Sequence, residues 1–102
     1  MRMESTCDLI NKVMSQDSLG YPTATETKTT VFCKVTSVSQ SEYYSAGKAG
    51  IVPEYRFSVN AIEYGGQKEL EYDGKRYGIY RTYLYNDEMD LYAEYKGGMS
   101  DG

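Results

Sequence analysis

The stretch YDGKRYGIYRTYLYND, residues 72–87, constrains the fold of this chain more than any other. Asp73-Gly74 is a dipeptide that tolerates the positive φ angles of a tight hairpin turn, and it joins the strand-like KELEY to KRYGIYRTY. A second turn at Asn86-Asp87 leads into EMDLYAEYK, where Met89, Leu91, Ala93 and Tyr95 alternate with Asp90, Tyr92, Glu94 and Lys96. Period-two alternation broken by turn residues predicts an up-and-down antiparallel meander for the last part of the chain.

Upstream the same period recurs. TETKTTVFCKVTSV sets Val31, Cys33 and Val35 on one face against Phe32, Lys34 and Thr36, with β-branched residues throughout. PEYRFSVNAIEY sets Tyr55, Phe57, Val59 and Ala61 against Glu54, Arg56, Ser58 and Asn60, a strand with one wet face. TCDLINKVMS fits helix and strand equally: Leu9, Ile10, Val13 and Met14 have helical spacing, while Leu9, Asn11 and Val13 alternate. QDSLGYPTA is turn chemistry, and residues 23–30 are polar enough to predict a loose loop. Residues 1–6 and 97–102 are expected to be disordered ends of a single domain that spans residues 1–102.

One segment departs from the strand pattern. In SVSQSEYYSAGKAGIVPEY, Ser39 or Ser41 can cap a helix, and Glu42 stands three residues after Ser39 as a capping box requires. The predicted helix covers 41–47, ends at Gly47 and Gly50, and gives way to a strand at Pro53. A long connection with its own helix is unusual in a small all-β domain, and such insertions often carry function.

A net charge of −4 and scattered basic residues disfavour a protein that grips a phosphate backbone. No segment reaches the length of a membrane span, and MRMESTCDLI lacks the apolar core of a signal peptide, so a cytoplasmic protein with no membrane partner is expected. Cys7 and Cys33 read as buried free thiols. There is no histidine, glycine-rich phosphate loop or metal-ligand spacing, and the carboxylate pairs Glu69/Glu71 and Asp87/Glu88 fall on turns or wet faces. Catalytic, cofactor-binding and metal residues are therefore all expected to be absent, and the chain is not expected to be an enzyme.

The tyrosines could stack nucleobases, line a groove or build a core. Without a positive groove the charge balance favours rings that fill a thin wall, with hydroxyls at the rim or against a neighbouring subunit. Strict alternation puts Tyr77, Ile79, Arg81 and Tyr83 on one face and Arg76, Gly78, Tyr80 and Thr82 on the other. An inward Arg81 would need a carboxylate or several carbonyls, and Glu42, Glu63 and Glu69 are the candidate carboxylates.

In order and spacing, two stretches resemble the head-closure (head-to-tail joining, or stopper) proteins of long-tailed bacteriophages and prophages of Gram-positive bacteria. They are TTVFCKVTSVSQSEYYSAGKAGIVPEYRFSV and EYGGQKELEYDGKRYGIYRTY; MDLYAEYKGG resembles the closing strand of that family. The resemblance covers about residues 7–98, and the N-terminal strand departs from the more basic one of better-known members.

The resemblance implies an all-β fold, a small β-barrel of about six antiparallel strands with a long loop carrying a short helix. It implies a virion neck protein, assembled in the host cytoplasm as a homo-oligomeric ring, expected to be dodecameric, under the portal and adaptor complex. That ring closes the DNA channel after packaging and gives a docking platform to a tail-terminator or tail-completion protein, while DNA abuts or passes the channel without specific binding. The resemblance also implies that the loop at 39–53 is the gate. Its residues would be Ser39, Ser41, Glu42, Tyr43, Tyr44, Ala46, Gly47, Lys48, Gly50 and Pro53. The Tyr-rich hairpin, Tyr72, Asp73, Gly74, Tyr77, Tyr80, Arg81 and Tyr83, is expected to be structural or interfacial. Two other classes remain open: a monomeric regulatory module that binds a protein by strand addition, and an OB-like nucleic-acid binder.

Overall fold

A computed structural model describes residues 4–97. Strands β1 (Ser5–Gln16), β2 (Pro22–Thr36), β3 (Pro53–Asn60), β4 (Glu69–Tyr72), β5 (Lys75–Tyr85) and β6 (Glu88–Gly97) pair antiparallel. They close into a barrel in the order β1-β2-β3-β6-β5-β4. One helix, α1 (Gln40–Gly47), lies between β2 and β3, and a single 3-10 turn (Ala61–Glu63) follows β3. The all-β, barrel-like architecture expected from the sequence is the one observed.

The turns follow the backbone chemistry of their residues. Asp73 and Gly74 have φ of 54° and 76°, and Asn86 has φ of 55°, the positive range that Asn, Asp and Gly enter at least cost. Asp17 caps its own turn: its Oδ1 accepts from the backbone N–H of Leu19 and of Tyr21, each at 2.9 Å.

Alternation locates the core. Cys7, Leu9, Val31, Cys33, Val59, Leu70, Leu91 and Ala93 point inward around Phe57. Phe57 meets Tyr72 at 5.3 Å, Tyr77 at 5.6 Å and Tyr55 at 5.9 Å between ring centroids, all edge-on, the arrangement that ring quadrupoles favour. Tyr77 also meets Tyr95 at 5.8 Å. Tyr55, Tyr72 and Tyr77 thus fill one zone of the barrel, while Tyr21, Tyr43, Tyr44, Tyr83, Tyr85 and Tyr95 are exposed. Burial and the neighbouring ring of Tyr55 push the Tyr77 hydroxyl up to about 12, so it stays protonated.

One alternative left open by the sequence is settled, and several expectations are corrected. TCDLINKVMS is strand: Cys7 and Leu9 face the core, Ile10 is buried between its ladder neighbours Lys28 and Glu69, and Val13 and Met14 stand in solvent. Residues 23–30 are strand and not loop, paired with β1 residue for residue from Gln16↔Pro22 to Ser5↔Cys33. Threonine is β-branched, and a ladder of backbone hydrogen bonds supports it without an apolar face. Ser58, placed on the wet face, is buried and donates to Asp90 Oδ1 at 2.7 Å. Ala61 leaves the β3 strand to open the 3-10 turn, its N–H donating to the Asp87 carbonyl at 2.8 Å. Of the ends expected to be disordered, Ser5 and Thr6 open β1 and Gly97 closes β6; residues 1–3 and 98–102 lie outside the described residues.

The hairpin of β1 and β2 outruns the barrel. Residues 11–30 are all exposed and form a two-stranded arm, which accounts for a longest dimension of 50 Å against 30 and 23 Å. Ion pairs brace its root: Arg76 bridges Glu26 on the arm (3.2 Å) and Glu69 on β4 (2.8 Å), and Lys28 meets Glu71 at 2.7 Å.

Replacing Phe57→Ala removes the ring around which the aromatic cluster packs. The expected loss is about 3–5 kcal/mol, read as a lowered midpoint in urea unfolding. The two thiols are buried. Contact with Cys33, then burial, raises the Cys7 thiol far above its ordinary value. A thiol reagent should therefore label neither cysteine in the native protein and both in denaturant.

Candidate functional site

The helix-bearing connection begins with a side-chain cap. Ser39 Oγ accepts from the Glu42 N–H at 3.1 Å, satisfying one of the free donors at the start of α1. Ser41, the other candidate cap, lies inside the helix with its hydroxyl 3.3 Å from that of Ser39. At the far end Ile51 N–H closes on the Ala46 carbonyl at 3.0 Å, and Gly50 takes φ of 80°, a left-handed turn that releases the chain toward β3. Pro53 is buried at the start of that strand.

α1 has two faces. Glu42 and Ala46, one helical turn apart, face the barrel, and Ala46 is buried. Tyr43, Tyr44 and Lys48 face solvent with Gly47, and the two tyrosine rings meet edge-on at 6.3 Å.

The Glu42 carboxylate does not complete the capping box. It turns to β5, where Tyr80 Oη donates to Oε2 at 2.7 Å and the Arg81 guanidinium pairs with Oε1. Arg81 also lies over the ring of Tyr92, its guanidinium carbon 4.1 Å from the centroid. Of the three carboxylates considered for Arg81, Glu42 is the one it meets; Glu69 is held by Arg76 and Lys12.

A bulge makes this possible. The β5–β6 register passes from Ile79↔Ala93 to Arg81↔Tyr92, which leaves Tyr80 as an extra residue. The inward Arg81 read from strict alternation is thereby corrected. Opposite residues share a side of the sheet, so Arg81 lies with Tyr92 outside the barrel, and Tyr83 lies with Asp90. The hairpin residues therefore split by role. Tyr72 and Tyr77 join the core, Asp73 and Gly74 turn the chain, Tyr80 and Arg81 hold α1, and Tyr83 is exposed with Leu84 and Tyr85.

The latch is electrostatic and half in water. Partial burial pushes the Glu42 carboxyl up, but the hydrogen bonds from Arg81 and Tyr80, together with the Arg81 charge, outweigh it and hold the group below its ordinary value. Burial and then the Glu42 contact raise the Tyr80 hydroxyl, which stays a donor. Arg81 keeps 45% of its side chain exposed, so the ion pair is screened and contributes about 1 kcal/mol or less. Ala46 is the buried residue of α1, and it lies outside the core cluster.

Among the described residues, no cluster of His, Cys, Asp or Glu could hold a metal ion, and no helix is long and apolar enough to cross a membrane. No protein-family model matches the chain, and no curated protein matches it significantly.

Glu42→Gln keeps the shape and removes the charge. Hydrogen exchange at residues 40–47 should speed up while the barrel amides keep their protection. Acid should act similarly. A carboxyl whose value is depressed in the latched state stabilises that state fully above the ordinary glutamate range of about 4.3, and the stabilisation is lost as pH falls through the latched value. Protection at 40–47, read as the exchange rate relative to the intrinsic rate at the same pH, should therefore be highest at neutral pH and fall on acidification below that range.

Proposed function

We propose that the protein is a head-closure component of the neck of a long-tailed bacteriophage. Its copies form a ring, expected to be dodecameric, under the portal and adaptor. The ring closes the channel on packaged DNA and presents a docking platform to the tail-terminator or tail-completion protein. The role is structural and not enzymatic, carried out in the virion after assembly in the host cytoplasm.

The observation that carries this role is the small set of contacts that holds the helix to the barrel. A gate needs a segment with two arrangements and a frame that survives both. Here α1 is held by the buried methyl of Ala46 and by one carboxylate on a half-exposed arginine and a tyrosine hydroxyl, while the core cluster is built from strand residues. When released, the connection at 37–52 has Tyr43, Tyr44 and Lys48 free to meet the same residues of other copies on a ring axis. The resemblance in the residues of this connection and of the Tyr-rich hairpin supports the same assignment. A chain with net charge −4 also suits a channel that DNA must pass without sticking.

A second role has a structural observation in its favour. Among the described residues the arm's strand edges have no partners, and a monomeric regulatory module could take up a strand of another protein there. Negative-stain imaging with portal–connector complexes purified from the encoding phage separates the two. A ring on the connector supports the neck role, and its absence refutes it. Deleting residues 46–50 should give capsids that bind the protein and lose their DNA; full genome retention by that variant would argue against the gate.

A further inference from the structure

The arm has a feature that the gate does not use. Among the described residues, no strand pairs with β1 beyond Ile10 on its β4 side, and none pairs with β2 ahead of Lys34 on its β3 side. Both edges of one ribbon, residues 11–16 and 22–33, therefore present unpaired backbone donors and acceptors. Bulges and interior prolines, which natural edges use to discourage pairing, are missing: the β1–β2 register runs without a shift, and Pro22 sits at the first position of its strand. A lone two-stranded ribbon is marginal in water, and this one exposes Val13, Met14, Leu19 and Tyr21.

We infer that the arm joins neighbouring copies, the free edge of β1 in one copy pairing with the free edge of β2 in the next. The hairpins thereby build a continuous annular sheet. This rests on the ring proposed above and names the contact that makes it.

Strand direction supports a second copy of this chain as the occupant. β1 and β2 run opposite ways, so placing copies side by side sets β2 of one against β1 of the next in antiparallel pairing. Each step repeats the same head-to-tail contact, the kind that closes into a ring by rotation. The side chains agree with that placement. Lys12 lies directly across from Glu26 within one copy, so a neighbour at the same level gives each Lys12 a Glu26 on both sides and the row alternates in sign. Met14 lies across from Ala24, and Val13 from Thr25, so the adjoining rows cover apolar and β-branched surface. An unrelated strand would satisfy only one of the two edges. A symmetric β1–β1 contact would stop at a dimer and leave β2 bare.

The test uses two variants of the full chain, one Val13→Cys and the other Thr25→Cys, mixed in equal amounts at high concentration under mild oxidation. The native Cys7 and Cys33 are buried and contribute no background. The expected result is a covalent dimer in the mixture and none with either variant alone. A parallel pair, Met14→Cys with Ala24→Cys, probes the next row. No cross-link in either mixture, or cross-linking of single variants alone, overturns the inference. The neck assignment is read separately. A ring on portal–connector complexes without the cross-link overturns the arm contact and leaves the neck role standing. A cross-link with no ring on connectors supports the contact and removes the neck role.

Discussion

The structure depends on a short hydrogen-bonded seam. β1 and β4 meet only through Asp8↔Glu71, Leu9↔Leu70 and Ile10↔Glu69, yet this pairing turns a twisted sheet into a barrel. Leu9 and Leu70, opposite each other in it, are both fully buried. Because β4 runs only from Glu69 to Tyr72, the wall closes at its base and no further. Above that level β1 and β2 continue as the arm, and β5 and β6 continue as a second, shorter projection that ends at Asn86. The length of one small strand thus decides where the core stops and where projecting surface begins.

The arm's root is where charge does structural work. Arg76 sits at the centre, reaching Glu26 across the sheet and Glu69 on the adjacent strand, while Lys12 adds a longer contact to Glu69 at 3.6 Å. The guanidinium holds the Glu26 carboxyl below its ordinary range. Exposed pairs of this kind add little stability individually. Their effect is geometric: a fork shared between two carboxylates sets the direction in which the ribbon leaves the barrel.

Legibility in the sequence followed apolar content. Residues 72–97 were readable because alternating hydrophobic residues and two positive-φ turns agree there. The helix was readable from Ser39 and Glu42, although only half of the predicted box forms. Residues 23–30 do not read as strand from apolar residues, because Ala24 is the only one in that stretch. The available signal was the regular spacing of Thr23, Thr25, Thr27 and Thr29 on one face, opposite Ser15, Val13, Asn11 and Leu9 in turn. The ion pairs at the root join residues up to fifty positions apart, as between Glu26 and Arg76, and no local pattern announces them. The Glu42–Arg81 contact was within the candidate set, but its geometry depends on a bulge that strict alternation cannot foresee.

That bulge reaches beyond the residue it inserts. Below Tyr80 the odd-numbered side chains of β5 enter the barrel, as Tyr77 and Ile79 do; above it the parity reverses, and Thr82 and Leu84 take the inner side opposite Leu91 and Met89. One strand therefore carries two reading frames. Were Tyr80 drawn into a regular ladder instead of bulging, Arg81, Tyr83 and Tyr85 would turn inward, so the chemistry of the outer wall hangs on one unpaired step of backbone.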